Sequence, residues 1–408
     1  MKSAKRVPIP ARGVDYRGKI VLAPMVRSGE LSSRLLALHY GADLVWGPET
    51  VDRSMIGTTR KVNEHLSTID FTRLPSHGSK DPRQDQKESL IYRLHPEKEG
   101  KRLIFQIGTS DPERAVQAAR IVAADVAGID VNAGCPKPFS TSGGMGAALL
   151  QTPDKLCSIL EALVKEISTE FEIGISVKIR LLETAELTEV LVRRLCATGI
   201  TGLTVHCRTT PMRPRERAIR GQLKMIANIC RESGVACLMN GDVETRAQAE
   251  QLITEFGVDG AMIATAAETN SSCFRSEANG GVAPWKEVVE HYIKTALEVE
   301  NRFGNTKYLL NHLIPGKQAV YREVTTSRSY HQVCQMLGFE HLEAQAKEID
   351  KKLGITSETQ DQGRRGKKNK SAMAAGGNQA KIRSVQAEEK KSRSERGIQN
   401  QPIAAVDI

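Results

Sequence analysis

The stretch GIDVNAGCPKPFSTSGGMGAALL, residues 128 to 150, sets Cys135 between Gly134 and Pro136 directly after a short apolar run. A turn that sharp at a strand end lifts a thiol out of its buried path. A thiol with a pKa of about 8.5 is mostly protonated at neutral pH, so it can serve as a general acid. The glycines at 143, 144 and 146 leave room beside it for a bulky planar group. The competing reading is a loop cysteine that only packs. A second group is Lys178, set between Val177 and Ile179 in ISVKIR, with Gln106 and His206 on other apolar runs. A buried lysine needs an electron-rich partner, either a carboxylate of the core or a bound anionic, strongly hydrogen-bonding cofactor; Gln106 and His206 favour the cofactor. A third is NGD, Asn240 to Asp242, which reads as an ordinary turn or as a phosphate cradle in which Gly241 admits the anion and Asn240 donates to it.

The elements that must position these groups recur along the chain. Strand-like runs are IVLAPM (20–25), ADLVWGP (42–48), LIFQIGT (103–109), GIDVNAG (128–134), ISVKIR (175–180), GLTVHCR (202–208), VACLMNGD (235–242) and GAMIAT (260–265). Between them lie amphipathic helical stretches, several opened by Thr or Asp caps. Eight such alternations predict an α/β fold, a (β/α)8 TIM barrel. Its active site lies at the carboxyl ends of the strands. Pro24, Met25 and Val26, then Gln106, Asn132, Cys135, Lys178, Arg180, His206, Arg208, Asn240, Gly241, Asp242, Ala264 and Thr265 all fall there. Strand alternation points Lys178 away from Val177 and Ile179, into the lumen or its mouth.

The expected division is a lead-in (1–19), the barrel (20–275), a linker (276–283), a C-terminal helical domain (284–354) and a disordered basic tail (355–408). Residues 49 to 101 interrupt the alternation and read as an elaborated loop or small hairpin on the functional face. The tail holds eleven Lys or Arg against six Asp or Glu, half of the net charge of +10. That balance points to a polyanionic partner. Eight cysteines without zinc spacing argue against a disulfide framework or a metal and for buried thiols. No stretch nears the roughly 18 apolar residues of a membrane span, and the N-terminus lacks an apolar signal segment. A cytoplasmic, monomeric protein is expected, with RRGKKNK a candidate nuclear signal or phosphate-binding patch.

LAPMVR, FQIGTSDP, VNAGCPKPFSTSGGMGAALL, VKIR, VHCR, NGD and GAMIA, in this order, resemble the tRNA-dihydrouridine synthases. The long cysteine segment and LVWGPETVDRSMIGTTRKVNE look most like the class acting on the D-loop uridine at position 20. The resemblance spans about residues 19 to 355 and implies a flavin enzyme that holds FMN, draws electrons from NADPH or NADH, and reduces uridine of tRNA. It gives Pro24, Met25, Val26, Gln106, Lys178 and His206 to the flavin, and Asn240, Gly241, Asp242, Ala264 and Thr265 to its phosphate end. Cys135 becomes the catalytic acid and Asn132 a uracil contact, with Arg180 and Arg208 toward the substrate and the helical domain toward the tRNA. Two features depart from the pattern: Thr265 stands where an arginine is usual, and a basic tail stands where animal members carry a double-stranded-RNA-binding domain. The alternatives are a flavin dehydrogenase of a free pyrimidine and a non-catalytic RNA-binding barrel.

Overall fold

The computed structural model describes residues 7–74, 88–213 and 215–355. Eight apolar runs form parallel strands: β1 (Lys19–Leu22), β2 (Leu44–Trp46), β3 (Leu103–Gly108), β4 (Gly128–Ala133), β5 (Gly174–Leu181), β6 (Gly202–Thr209), β7 (Ala236–Asn240) and β8 (Gly260–Ile263). Nearly every residue in them is buried, as in a sheet covered on both faces. Each strand pairs with its sequence neighbour, β8 pairs with β1, and β2 pairs with β3 through Val45↔Leu103 and Trp46↔Ile104. The sheet is therefore a closed (β/α)8 barrel, as the alternation predicts. Some runs extend past the ladder: β1 stops at Leu22, before Pro24, which has no N–H to donate.

Six helices of nine to twelve residues wrap the barrel: α1 (Leu31–His39), α2 (Pro112–Val122), α3 (Pro153–Leu163), α4 (Ala185–Cys196), α5 (Leu223–Ser233) and α6 (Arg246–Phe256). Asp111, Thr184 and Thr245 cap three of them by accepting the N–H three residues on. Thr152 makes no such bond at the start of α3. The lead-in closes the barrel floor, where Tyr16 is 1% exposed. Gly202 has no side chain there because a Cβ would meet the Tyr16 ring at 2.6 Å.

The insertion after β2 is more than a loop or hairpin. Thr59–Asn63, Thr68–Arg73 and Ser89–Leu94 form a three-stranded antiparallel sheet. Period-two alternation buries Phe71, Tyr92 and Leu94, and the Tyr92 ring meets Phe105 of β3 edge-on at 4.8 Å. Directly opposed Asp70 and Arg93 pair across two strands, and the guanidinium helps hold the Asp70 carboxyl below its usual value against the opposing cost of burial.

Five further helices follow: α7 (Trp285–Glu298), α8 (Phe303–Leu313), α9 (Ala319–Thr326), α10 (Tyr330–Leu337) and α11 (Glu343–Lys352). Their apolar faces make a second core that includes Leu36 and Tyr40 from the α1 region of the barrel. The insertion bridges the two cores: Arg93 donates to the carbonyl of Val299 at 2.7 Å, and Arg302 donates to that of Leu90 at 2.7 Å. The stretch from Ser276 to Ala283 is pinned as well, since Asn270 and Arg275 bond its carbonyls. The expected disorder of the tail beyond Ile355, and RRGKKNK within it, lie outside the described residues, as do residues 1–6.

The insertion is fastened to α1 by Arg34, whose guanidinium donates twice to Glu99 at 2.7 Å and also to the carbonyls of Gly29 and Arg93. Arg34 and Glu99 side chains are 1% and 0% exposed. Glu99→Gln leaves that guanidinium buried without its counter-charge and is expected to destabilise the fold by about 3 kcal/mol, readable as a lower urea midpoint.

Candidate active site

Strand register sets the site in rows. Asp130 of β4 lies beside Gln106 of β3 and Ser176 of β5; one row higher Asn132 pairs with Lys178, and above that Arg180, His206 and Asn240 lie side by side. Residues two apart on a strand share a face, so these polar groups stack toward the barrel mouth. In the lowest row Asp130 accepts from Gln106 Nε2 at 2.8 Å and from Ser176 Oγ at 2.7 Å. Burial raises the Asp130 carboxyl to about 6. The bond fixes which way the Gln106 amide faces.

Among the described residues, Lys178 reaches no carboxylate. Its Nζ donates to Asn240 Oδ1 at 3.0 Å, and Asn240 Nδ2 donates to the carbonyl of Met262 at 2.9 Å. Burial lowers the ammonium to about 8, with Asp130 opposing and Arg180 assisting. An ammonium has three donors, so one amide oxygen leaves it calling for further acceptors. The same geometry changes the part expected of Asn240. Its side chain ties Lys178 to β8, and both ends of the amide are engaged within the protein.

His206 is held neutral. Burial lowers it to about 2, reinforced by Lys178, Arg180 and Arg208. Arg208 Nη1 lies 3.1 Å from His206 Nε2. A guanidinium only donates, so Nε2 accepts and the ring proton sits on Nδ1. Arg208 is 4% exposed, and it also donates to Asp242 and to the carbonyl of Glu216. Asp242 in turn accepts from the backbone of Ala218 at 2.7 Å. Arg208, expected to face substrate, thus orients His206, and Asp242, expected at a phosphate, anchors Arg208. Gly241 has φ 120°, and a Cβ there would press on Ala218 and His206.

Cys135 is the one cysteine of the eight that is not buried. Its loop is built by two residues expected at the substrate. Asn132, 6% exposed, accepts from the backbone of Gly134 at 2.9 Å and Cys135 at 3.1 Å. Arg180, 7% exposed, donates to the carbonyls of Gly134 and Thr209, both at 2.8 Å. Both bind backbone because the turn leaves strand geometry there and frees polar groups that need partners. Burial pushes the Cys135 thiol up, the Lys137 backbone pulls it back, and the carboxylate of Glu49 adds to the rise. Of the glycines read as open space, Gly146, at φ 57°, is filled around by Ser140 Oγ and the Cys135 carbonyl.

A cavity of about 520 Å³ opens at the ends of β6, β7 and β8. His206, Asn240, Gly241, Asp242, Ala264 and Thr265 line it. Thr265 is exposed and begins the short helix Thr265–Thr269. Met25 packs against the core at the end of β1, Pro24 is half-buried, and Val26 is 40% exposed. Arg27, in the left-handed region at φ 75°, stacks over Tyr308 of α8 at 4.3 Å, so the helices reach the mouth. The under-satisfied Lys178, the neutral donor His206 and the fixed Gln106 suit a planar heterocycle rich in acceptors, and a flavin is such a group. At the end of β8, the cavity is lined by Ala264 and by the side chains of Thr265, Thr269 and Asn270. Sequence reasoning missed Glu49 and Asp130. Each had a signal: a carboxylate at the end of the second strand, and an acid inside an apolar run.

A family model described as dihydrouridine synthase (Dus) matches residues 21–353. A Schizosaccharomyces pombe protein named tRNA-dihydrouridine(20) synthase [NAD(P)+] is 48% identical over 82% of this chain and 68% of its own. Its Saccharomyces cerevisiae namesake is 45% identical, covering 78% and 83%. A second S. cerevisiae protein, named tRNA-dihydrouridine(20a/20b) synthase [NAD(P)+], is 27% identical over 71% of this chain and 69% of its own.

Folded His206 stays neutral while an unfolded histidine binds a proton below about pH 6.5. The unfolded state therefore gains protons as pH falls, and stability is lost below about pH 6.5. His206→Gln is expected to flatten that loss when urea midpoints at about pH 7 and about pH 5 are compared.

Proposed function

The chain belongs to the dihydrouridine synthase family, and from that premise we propose that it reduces the uridine at position 20 of tRNA to 5,6-dihydrouridine, holding FMN and drawing on NADPH or NADH. The observation that carries this reading is the arrangement at the barrel mouth: one accessible thiol on a braced loop, beside a buried lysine whose ammonium donates to the Asn240 amide oxygen and to no carboxylate among the described residues. The two position-20 relatives stand well above the 20a/20b relative in identity, which supports the choice of position.

Lys178, His206 and Gln106 would hold the flavin ring, with Pro24, Met25 and Val26 packed on it. Gly241, Ala264 and Thr265 would line its phosphate end. The chemistry such a group supplies when bound is hydride transfer, with a nicotinamide as electron source. Lys178 Nζ and His206 Nδ1–H are donors that stay desolvated, where a hydrogen bond is worth more than in water. Cys135 keeps its proton at neutral pH because burial disfavours the thiolate. Its Sγ–H gives that proton to C5 of the uracil as charge builds on the pyrimidine. Asn132 and Arg180 hold the thiol in place by bonding the Gly134–Cys135 backbone. The target base leaves its stack to reach the mouth, at a cost of a few kcal/mol that is smallest in a loop.

The helices of residues 284–354 would carry the tRNA, together with the basic tail. Both supply phosphate contacts that weaken with salt. We place the protein in the cytoplasm, where its tRNA substrate would be found.

Two measurements test the reading. Purified protein is expected to show a flavin spectrum, and incubation with NADPH is expected to yield dihydrouridine in tRNA; reduction of free uracil instead would move the substrate to the free base. Cys135→Ala is expected to lower tRNA reduction by about a hundredfold or more while flavin content and NADPH oxidation persist. Loss of flavin from that variant would make Cys135 a structural residue.

A further inference from the structure

Glu49 follows the end of β2 in WGPET, and its carboxyl lies beside Cys135. Its Oε1 accepts from Ser140 Oγ at 2.9 Å. Its Oε2 is buried and has no hydrogen-bond partner among the described residues. A buried carboxylate oxygen without a partner is costly, so its place needs a reason. Gly108 makes room for it, and Gly146 for its neighbours Ser140 and Cys135. A Cβ on Gly108, at the end of β3, would sit 2.5 Å from Glu49 Oε1, and one on Gly146 would sit 2.4 Å from Ser140 Oγ and 2.6 Å from the Cys135 carbonyl. Ala147 donates to that same carbonyl at 2.9 Å. Three loops thus converge on one carboxyl–hydroxyl–thiol cluster.

We propose that Glu49 is the group that returns a proton to Cys135 after the thiol has protonated the substrate. This rests on the reading of Cys135 as the acid. In the acid step the S–H bond breaks and the C5–H bond forms, leaving a thiolate; the hydride that the reaction supplies at C6 carries the electrons. The Glu49 O–H bond then breaks, S–H reforms, and the carboxylate regains its proton from water at the mouth once product has gone. No net charge or electron pair is left behind.

The groups around Glu49 fit a proton donor. Asn132 faces it from β4, Cys135, Lys137 and Ser140 face it from the segment that follows, and Arg180 of β5 lies near the thiol. Burial is the largest effect and pushes the Glu49 carboxyl above its ordinary value, against the pull of those neighbours. Ser140 fixes the carboxyl through Oε1, which leaves Oε2 for exchange. Lys137 is exposed, so it does not neutralise the acid outright.

The test uses Glu49→Gln in the full-length flavin-loaded enzyme, with Gly108→Ala as a second variant that displaces the carboxyl without removing it. One readout is independent of turnover: the pH dependence of iodoacetamide labelling at Cys135, followed by mass spectrometry of its peptide. Removing the adjacent carboxylate is expected to move the labelling midpoint to lower pH. In turnover with tRNA, Glu49→Gln is expected to lose about tenfold more rate at about pH 6.5 than at about pH 8.5, where the carboxyl of the unaltered enzyme is itself ionised and has no proton to return. Reduction of the flavin by NADPH stays within about twofold, since the thiol takes no part in it. Glu49→Asp restores part of the pH 6.5 loss. A labelling midpoint and a pH–rate profile that superimpose on those of the unaltered enzyme, in both Glu49→Gln and Gly108→Ala, overturn the proposal. If the unaltered enzyme leaves tRNA unreduced while the labelling midpoint still shifts, the substrate reading fails and the Glu49–Cys135 coupling stands.

Discussion

Positive charge gathers at the ends of β5 and β6 faster than negative charge can meet it. Lys178, Arg180 and Arg208 lie on adjacent strands in or near register, and the carboxylate paired with them at the rim is Asp242. Such crowding is unfavourable in a desolvated space. The site relieves it without adding acids. Arg180 and Arg208 spread their donors over backbone carbonyls, His206 gives up its charge, and Lys178 is weakened as an acid-base centre toward neutrality. What remains is a demand for acceptor atoms at the mouth, and that demand is the main physical ground for a heterocyclic cofactor there.

Preorganisation follows from the same arrangement. Each reactive candidate is oriented by a buried neighbour: Gln106 by Asp130, Lys178 by Asn240, His206 by Arg208, and the Cys135 backbone by Asn132 and Arg180. Donors fixed before a ligand arrives need no reorganisation when charge develops. The residues expected to touch substrate are largely this supporting layer. Arginine at a strand end suits both jobs, because its planar fork binds carbonyls as readily as phosphates.

Around the barrel, the insertion after β2 does mechanical work. It grips α1 through the buried Arg34–Glu99 pair and meets the C-terminal helices through Arg93 and Arg302. The second core shares Leu36 and Tyr40 with the barrel side, so the helices are fixed to it rather than tethered. With Arg27 stacked on Tyr308, one face of the helical module is brought to the rim of the site. On the proposed function, a tRNA would span both surfaces while one base enters the mouth.

The sequence by itself determined the closed barrel, because eight buried parallel strands read as continuous Val, Ile and Leu runs whatever surrounds them. It also determined which residues end those strands, since side-chain period two and a Gly–Cys–Pro turn are local properties. The insertion's third strand was not legible: its alternation is short, and burial of Phe71, Tyr92 and Leu94 depends on Phe105 and α1 lying alongside. Roles within the site were decided only in three dimensions. Asn132, Arg180, Arg208, Asn240 and Asp242 look alike in sequence as polar residues at a catalytic face. Which of them is free for a ligand depends on cross-strand register and on the loops that return over them, and both arise from contacts between residues far apart in the chain. Glu49 reaches Cys135 for the same reason, across eighty-six positions of sequence and the width of two strand ends.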